Sequence, residues 1–378
     1  MKVSLGTVIL NERKKKQITQ QQLADFMGVS KTSVSKWENE YAYPDITLLP
    51  LLAAYFDISI DSLLNYEPEL NKEEIQQIYL SLQKSFETQE SKEVWKSIHS
   101  LTRRYYSCYP FILQMGLLIL NHFDKLLGEN PNEQKEHYVG EALNLFIHIR
   151  TSSSDTKLVS EATKLEGFCL LLLNRPDDVL KTLGNYVENY LPTDDLIASA
   201  YQLKGEPKRA AATAQSGIYQ NTSVLISALT NYTQLVSADL NNFEETFRKQ
   251  RTLIEAFNIE HVNPTLALNA YLSAAVVYAQ YHSEKEVYNC LRNVIAVLEK
   301  NNGLLSFNTD TYFDLIQDWL ENLPLGDHTP KNSNQVIDYI GNLILTHPGF
   351  DPYRITEEMI EIEKQIKIIM KRSESDEY

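Results

Sequence analysis

No stretch of this chain alternates apolar and polar residues with the two-residue period of a half-buried strand, and that constrains its fold most. Apolar residues recur instead at helical spacing, in segments of about 12–20 residues parted by short polar turns. Only 13 Gly and 13 Pro occur in 378 residues, so loop material is scarce and the chain reads as all-α. At about 100–200 residues per domain, this length suits two or three domains or an array of repeats.

The net charge of −15 argues against a general nucleic-acid binder, but the average hides an asymmetry. Residues 1–44 carry seven basic and four acidic residues, a net of +3. Residues 67–378 carry 28 basic and 43 acidic ones, a net of −15, so the two parts are expected to meet different partners. Three scattered cysteines, Cys108, Cys169 and Cys290, make no disulfide framework and suit a reducing compartment. No signal peptide is visible, and the apolar run near Gly116–Leu120 is stopped by Asn121, His122 and Asp124, far short of a membrane span. The expectation is a cytoplasmic protein with no membrane partner.

Residues 1–66 read as five short helices. Leu5, Val8, Ile9 and Arg13 fall at helical spacing. Thr19 with Gln22 is a capping-box start for a helix through Met27, and Gly28 suits a left-handed C-terminal turn. Ser30 caps a helix over 31–39. Pro44-Asp45 breaks the chain, Ile46–Phe56 forms the next helix and Ser59–Leu64 the last. Glu67-Pro68-Glu69-Leu70-Asn71 is a polar linker and marks the domain boundary.

The segment Thr19–Glu40 is helix, tight turn, helix. Ala24 lets the two helices cross closely, Val29 and Val34 pack onto Leu23, and Trp37 anchors the end of the second. That helix then exposes Lys31, Thr32, Ser33, Ser35 and Lys36, polar and basic groups suited to a major groove. Gln20 and Ser30 sit at helix N-termini, where side chains and backbone N–H groups hold phosphates.

Over residues 5–66 the chain resembles the helix-turn-helix of the Xre, or Cro/phage-repressor, class. Val-Ser-Lys-Trp-Glu-Asn, Tyr-Pro-Asp-Ile-Thr-Leu-Leu and Phe-Asp-Ile-Ser-Ile-Asp-Ser-Leu-Leu carry the resemblance. It implies a five-helix lambda-repressor-like DNA-binding domain, with Lys31, Thr32, Ser35 and Lys36 at base-reading positions. It places Gln20, Ser33 and Asn39 at mostly phosphate-contacting ones. Glu40 departs from the class, which usually has Gly there, so some strain or a slightly different turn after the second helix is expected. Such modules read only about four to five base pairs each, which implies a homodimer on an inverted-repeat operator of double-stranded DNA.

Residues 72–372 read as fourteen or fifteen amphipathic helices, ending in a disordered tail over 373–378. Candidate turns begin at Asn174, Gly205, Asn241 and His282, at intervals of 31, 36 and 41 residues. These are close to a 34-residue tetratricopeptide period, with small residues Gly167, Ala198, Ala200, Ala210, Ala214, Ala274, Ala275 and Ala279 where paired helices approach. The expected fold of this part is a tetratricopeptide-like α-solenoid that dimerises and senses an effector.

A helix-turn-helix followed by such an array resembles the peptide-pheromone receptors of Gram-positive bacteria, the Rap/Npr/PlcR/PrgX-type group. The resemblance implies a short signalling peptide bound in the concave groove. Asn and Gln clamp an extended backbone through both donor and acceptor, and Tyr adds flat contact area. Asn231 and Asn269, each read as mid-helix in the first helix of a pair, lead the candidates, followed by Tyr201, Gln202 and Gln234. The alternative is an array that only oligomerises or docks a protein.

Enzyme motifs are not found: no phosphate loop, no G-x-S-x-G, no H-E-x-x-H and no paired C-x-x-C. Glu133, His137 and Glu141 share a helix face but read as a solvated one, and no cofactor or metal is expected. Arg103–Phe111, with Tyr105, Tyr106, Cys108 and Tyr109, reads as a helix–turn–helix junction with aromatics packed under the next helix.

Overall fold

The computed structural model describes residues 5–66, 69–126, 130–185 and 192–375. Among these the fold is all-α: twenty α-helices, five in the N-terminal module and fifteen beyond it, with no strand. The chain divides into two compact units, residues 1–183 and 184–378.

The first unit opens with α1 (Leu5–Lys15), α2 (Gln20–Met27), α3 (Lys31–Glu38), α4 (Leu49–Phe56) and α5 (Ile60–Leu64). Their core closes on itself: Leu5, Ile9, Leu23, Val34, Trp37, Leu52, Phe56 and Leu63 form one buried cluster. Fully burying each such side chain contributes about 1.5–3 kcal/mol. The expected helix at Ile46 starts as a 3-10 turn, Ile46–Leu48, before α4, whose first turn holds Pro50.

Beyond the module come α6 (Lys72–Thr88), α7 (Ser91–Arg104), α8 (Tyr109–His122), α9 (Pro131–Ser152), α10 (Thr156–Leu172) and α11 (Pro176–Leu183). From α8 onward each helix packs on the next. A Cβ on Gly167 would come within 2.6 Å of Leu183, so α10 and α11 approach through that glycine. The α7–α8 junction is aromatic, as expected: buried Tyr105 meets Phe111 edge-on, and Tyr106 stacks on His148 of α9 with ring centroids 3.9 Å apart. The two units part at residue 184, and the boundary expected at 67–71 lies inside the first of them. Residues 67 and 68 lie outside the described residues. Just beyond them the Leu70 N–H approaches the Cys108 Sγ at 3.5 Å, tying this segment to the α7–α8 junction.

The second unit comprises α12 (Thr193–Leu203), α13 (Pro207–Leu235), α14 (Leu240–Ala256), α15 (Ile259–Val262), α16 (Pro264–Gln280), α17 (Glu284–Lys300), α18 (Gln317–Glu321), α19 (Ser333–Thr346) and α20 (Glu357–Ser375). Helical hairpins form at α12/α13, α13/α14, α16/α17 and α19/α20. Three expected turns close on left-handed residues, Asn174, Gly205 and His282. The fourth is displaced: Asn241 is already inside α14, because Asp239 caps that helix through the Asn242 N–H.

Two features depart from a uniform repeat. At 29 residues α13 is far longer than its neighbours, since its one Pro, Pro207, stands in the first turn and the buried Gly217 is tolerated in mid-helix. Residues 301–316 carry no helix, and only the five-residue α18 precedes α19. At the C-terminus α20 continues to Ser375, so the first three residues of the expected disordered tail are helical. Residues 376–378 lie outside the described residues.

Candidate nucleic-acid interface

The interface is built from two short helices whose ends are fixed by their own sequence. Thr19 and Gln22 form a reciprocal capping box: the Gln22 N–H donates to Thr19 Oγ1 at 3.2 Å, and the Thr19 N–H donates to Gln22 Oε1 at 2.8 Å. Gly28 takes φ +67°, so the chain turns sharply from α2 into α3. The Ser33 N–H then donates to Ser30 Oγ at 3.0 Å, capping α3.

At 3.6 residues per turn, the eight residues of α3 span about 12 Å, comparable to the width of a major groove. Val34, Trp37 and Glu38 form its buried side. Thr32 and Lys36 stand at the centre of the opposite face, with Lys31 and Ser35 along one flank and Ser33 along the other. Lys31, Thr32 and Lys36 are exposed, Ser33 and Ser35 half-buried.

Behind this face lies an ion pair between half-buried Arg13 and buried Glu38. Arg13 of α1 forks onto Glu38, with Nη2 3.0 Å from Oε2, while its Nη1 donates to the Ile18 carbonyl at 2.8 Å. Burial pushes the Glu38 carboxyl up, but hydrogen bonds from Arg13 and Gln20 outweigh it and hold the group below the usual glutamate range. The pair joins α1 to α3, and the Gln20 amide adds α2 to the same carboxylate. Gly6 completes the contact: a Cβ there would lie 2.2 Å from the Trp37 carbonyl oxygen.

The residues singled out from sequence are therefore distributed unevenly. Lys31, Thr32, Ser35 and Lys36 share one outward face. Gln20 is half-buried, and its amide donates to Glu38 Oε2 at 2.8 Å. The hydroxyls of Ser30 and Ser33 lie 2.9 Å apart, and Asn39 Nδ2 donates back to the Ser35 carbonyl at 2.7 Å. Glu40 adopts φ +58°, the strain expected where a Gly would sit. Two exposed aromatics stand next to it. Tyr41 and Tyr43, 83% and 55% exposed, follow that turn beside the end of α3.

The candidate effector residues lie in the second unit. The α13 and α16 helices run side by side in one direction, since Tyr219 Oη donates to the Val262 carbonyl and Gln234 Nε2 to that of Ser273. Asn231 and Asn269 are exposed on these two neighbours. Asn269 is mid-helix as expected, but Asn231 is four residues from the end of the extended α13. Tyr201 lines a separate cleft between α12, α13 and the α18 region, and Gln202 is exposed without lining it. Sequence reading missed the cleft because its far wall comes from residues 315–322, about a hundred positions away. Among the described residues, no group of three or more His, Cys, Asp or Glu side chains is placed to hold a metal ion, and no helix is long and apolar enough to cross a membrane.

Residues 9–63 match the family model described as helix-turn-helix, so the N-terminal part of the chain carries a helix-turn-helix domain. The chain is 42% identical over 52 residues to the HTH-type transcriptional activator BcrR of Enterococcus faecalis, which is 14% of this chain and 26% of BcrR. The match thus spans about a quarter of that relative. Among solved structures, Bacillus thuringiensis PlcR in complex with a peptide and DNA covers 80% of this chain and 96% of its own, at 13% identity and a TM-score of 0.29. At that score the likeness decides nothing about this chain's ligands.

Proposed function

We propose that this chain is a sequence-specific DNA-binding transcriptional regulator that acts as a homodimer, and that its helical array takes a small effector, a short peptide. The single observation carrying the DNA reading is the outward face of α3. Two lysines and two hydroxyl residues stand opposite a core-anchored side, on a helix of groove dimensions, in the one basic part of an acidic chain. Lys31 and Lys36 donate to guanine O6 and N7, Thr32 offers a hydroxyl and a methyl for thymine, and Ser35 reads either. Ser30, Ser33 and Asn39, with the N-termini of α2 and α3, hold phosphates. Gln20 keeps the interface in register through Glu38 and reaches phosphate only by releasing it. Exposed Tyr41 and Tyr43 extend the contact along the backbone.

The effector reading is supported by exposed Asn231 and Asn269 on adjacent parallel helices, an arrangement suited to clamping an extended backbone from both sides.

Selection of duplexes from a random library by the purified protein tests the DNA reading. The expected product is an inverted repeat with half-sites about one helical turn apart. Recovery of unrelated sequences, with affinity set by salt alone, would reject it.

A further inference from the structure

The second unit contains a cleft of about 600 Å³, within the range that holds a drug-sized molecule or a few peptide residues. One wall is the α12/α13 hairpin, turned at Gly205. The other is the segment from Leu315 to Asn322, fixed by one side chain: Gln215 of α13 donates to Asp314 Oδ1 at 2.8 Å and accepts the Leu315 N–H at 2.9 Å. Trp319 is held edge-on against Tyr219 at 5.7 Å. Both walls are thus set by contacts within this unit.

The charges in the cleft do not cancel. Its one cation, Arg209, is already committed: it pairs with Glu206 at 2.8 Å and lies 4.4 Å over the Tyr201 ring. Two carboxylates, Asp194 and Asp318, also line the space, and neither side chain has a hydrogen bond or ion pair among the described residues. Asp194 is half-buried and seated over Gly217, where a Cβ would come within 1.9 Å of its Oδ2. The glycine keeps the floor open for that carboxylate. Trp319 supplies aromatic surface, Ile197 and Leu315 apolar surface, and the Tyr201 ring is taken up by Arg209 and Lys204.

We infer that this cleft binds a cationic ligand, an ammonium or guanidinium on an apolar stem, with Asp194 and Asp318 as its counter-charges and Trp319 as its aromatic wall. Cations favour aromatic faces and carboxylates together, and a compact charge on a methylene stem satisfies both linings. The chemistry fits a lysine or arginine of a short peptide, or a free polyamine. As a peptide site, it rests on the effector reading above.

The test is calorimetric titration of the full chain with three probes: spermidine, a random hexapeptide pool with one lysine per peptide, and the same pool with glutamate in its place. The Asp194→Asn/Asp318→Asn variant, near-isosteric and checked for unchanged helix content, is titrated in parallel. Binding of spermidine or the lysine pool, weakened at least tenfold in the variant, with no binding of the glutamate pool, is the expected result. Spermidine binding alone upholds the cleft assignment and removes the peptide as its occupant. Peptide binding that ignores both the lysine and the two aspartates overturns the cleft assignment and leaves the peptide reading standing. No binding by any probe, or equal binding by the variant, overturns the assignment as well.

Discussion

Arg13 and Glu38 show how one ion pair governs a surface that neither residue reaches. Removing Arg13 leaves the Glu38 carboxylate with the Gln20 amide as its remaining side-chain donor, which costs about 1–3 kcal/mol. Arg13→Met should therefore lower the stability of the N-terminal module by that order, read from chemical denaturation. The pH dependence has a definite sign. Because the Glu38 carboxyl titrates below its unfolded value, its contribution is complete above the ordinary glutamate pKa of about 4.3. That contribution is lost as pH falls through the depressed folded value. Stability measured from pH 6 downward should fall in that acid window, and Glu38→Gln should flatten this part of the profile. Gly6 is the other sensitive residue: with the Trp37 carbonyl 2.2 Å from any added Cβ, Gly6→Ala should destabilise the module by about 1–3 kcal/mol through overpacking.

At the scale of elements, the helix boundaries of the DNA-reading module were legible because they are written in local chemistry. Thr19 with Gln22, Gly28 and Ser30 specify their caps and turn through neighbours within three residues, and all three formed as expected. Ser30→Ala should cost about 1 kcal/mol by leaving the Ser33 N–H uncapped, a loss visible as a lower unfolding midpoint. The α7–α8 aromatic junction was legible for the same reason. What sequence could not disclose depends on distance along the chain. The role of Gln20 as a donor to Glu38 needs a partner 18 positions away. The cleft needs Asp194 to meet a wall beyond residue 314, and Asp194 alone reads as an ordinary helix-start carboxylate. The helix count held, but the drifting repeat concealed the uninterrupted α13. A left-handed turn announces itself through Gly or Asn, whereas its absence leaves no mark in a run of helix-compatible residues.

At the scale of the molecule, the chain joins a small basic reader to a large acidic array, and each part has its own chemistry. The reader's core is closed within residues 5–63, and its polar face points outward, away from that core. The array offers exposed amides on α13 and α16 and an acidic, aromatic cleft. A reader of about four to five base pairs gains useful specificity only in pairs. Sedimentation of the full chain should therefore give a dimer mass, and a duplex with two half-sites should bind far more tightly than one with a single half-site. Equal affinity for both duplexes would show that the chain binds DNA as a monomer.

The most direct test of the central claim, that the outward face of α3 reads base sequence, compares the DNA selected by the wild-type chain with that selected by Lys36→Ala at one salt concentration. The expected result is a consensus that relaxes at one position in each half-site, with a loss of about 1–3 kcal/mol on the original sequence. An unchanged consensus, with affinity lowered uniformly across sequences, would show that Lys36 touches only phosphate and would contradict the assignment of this face to base reading.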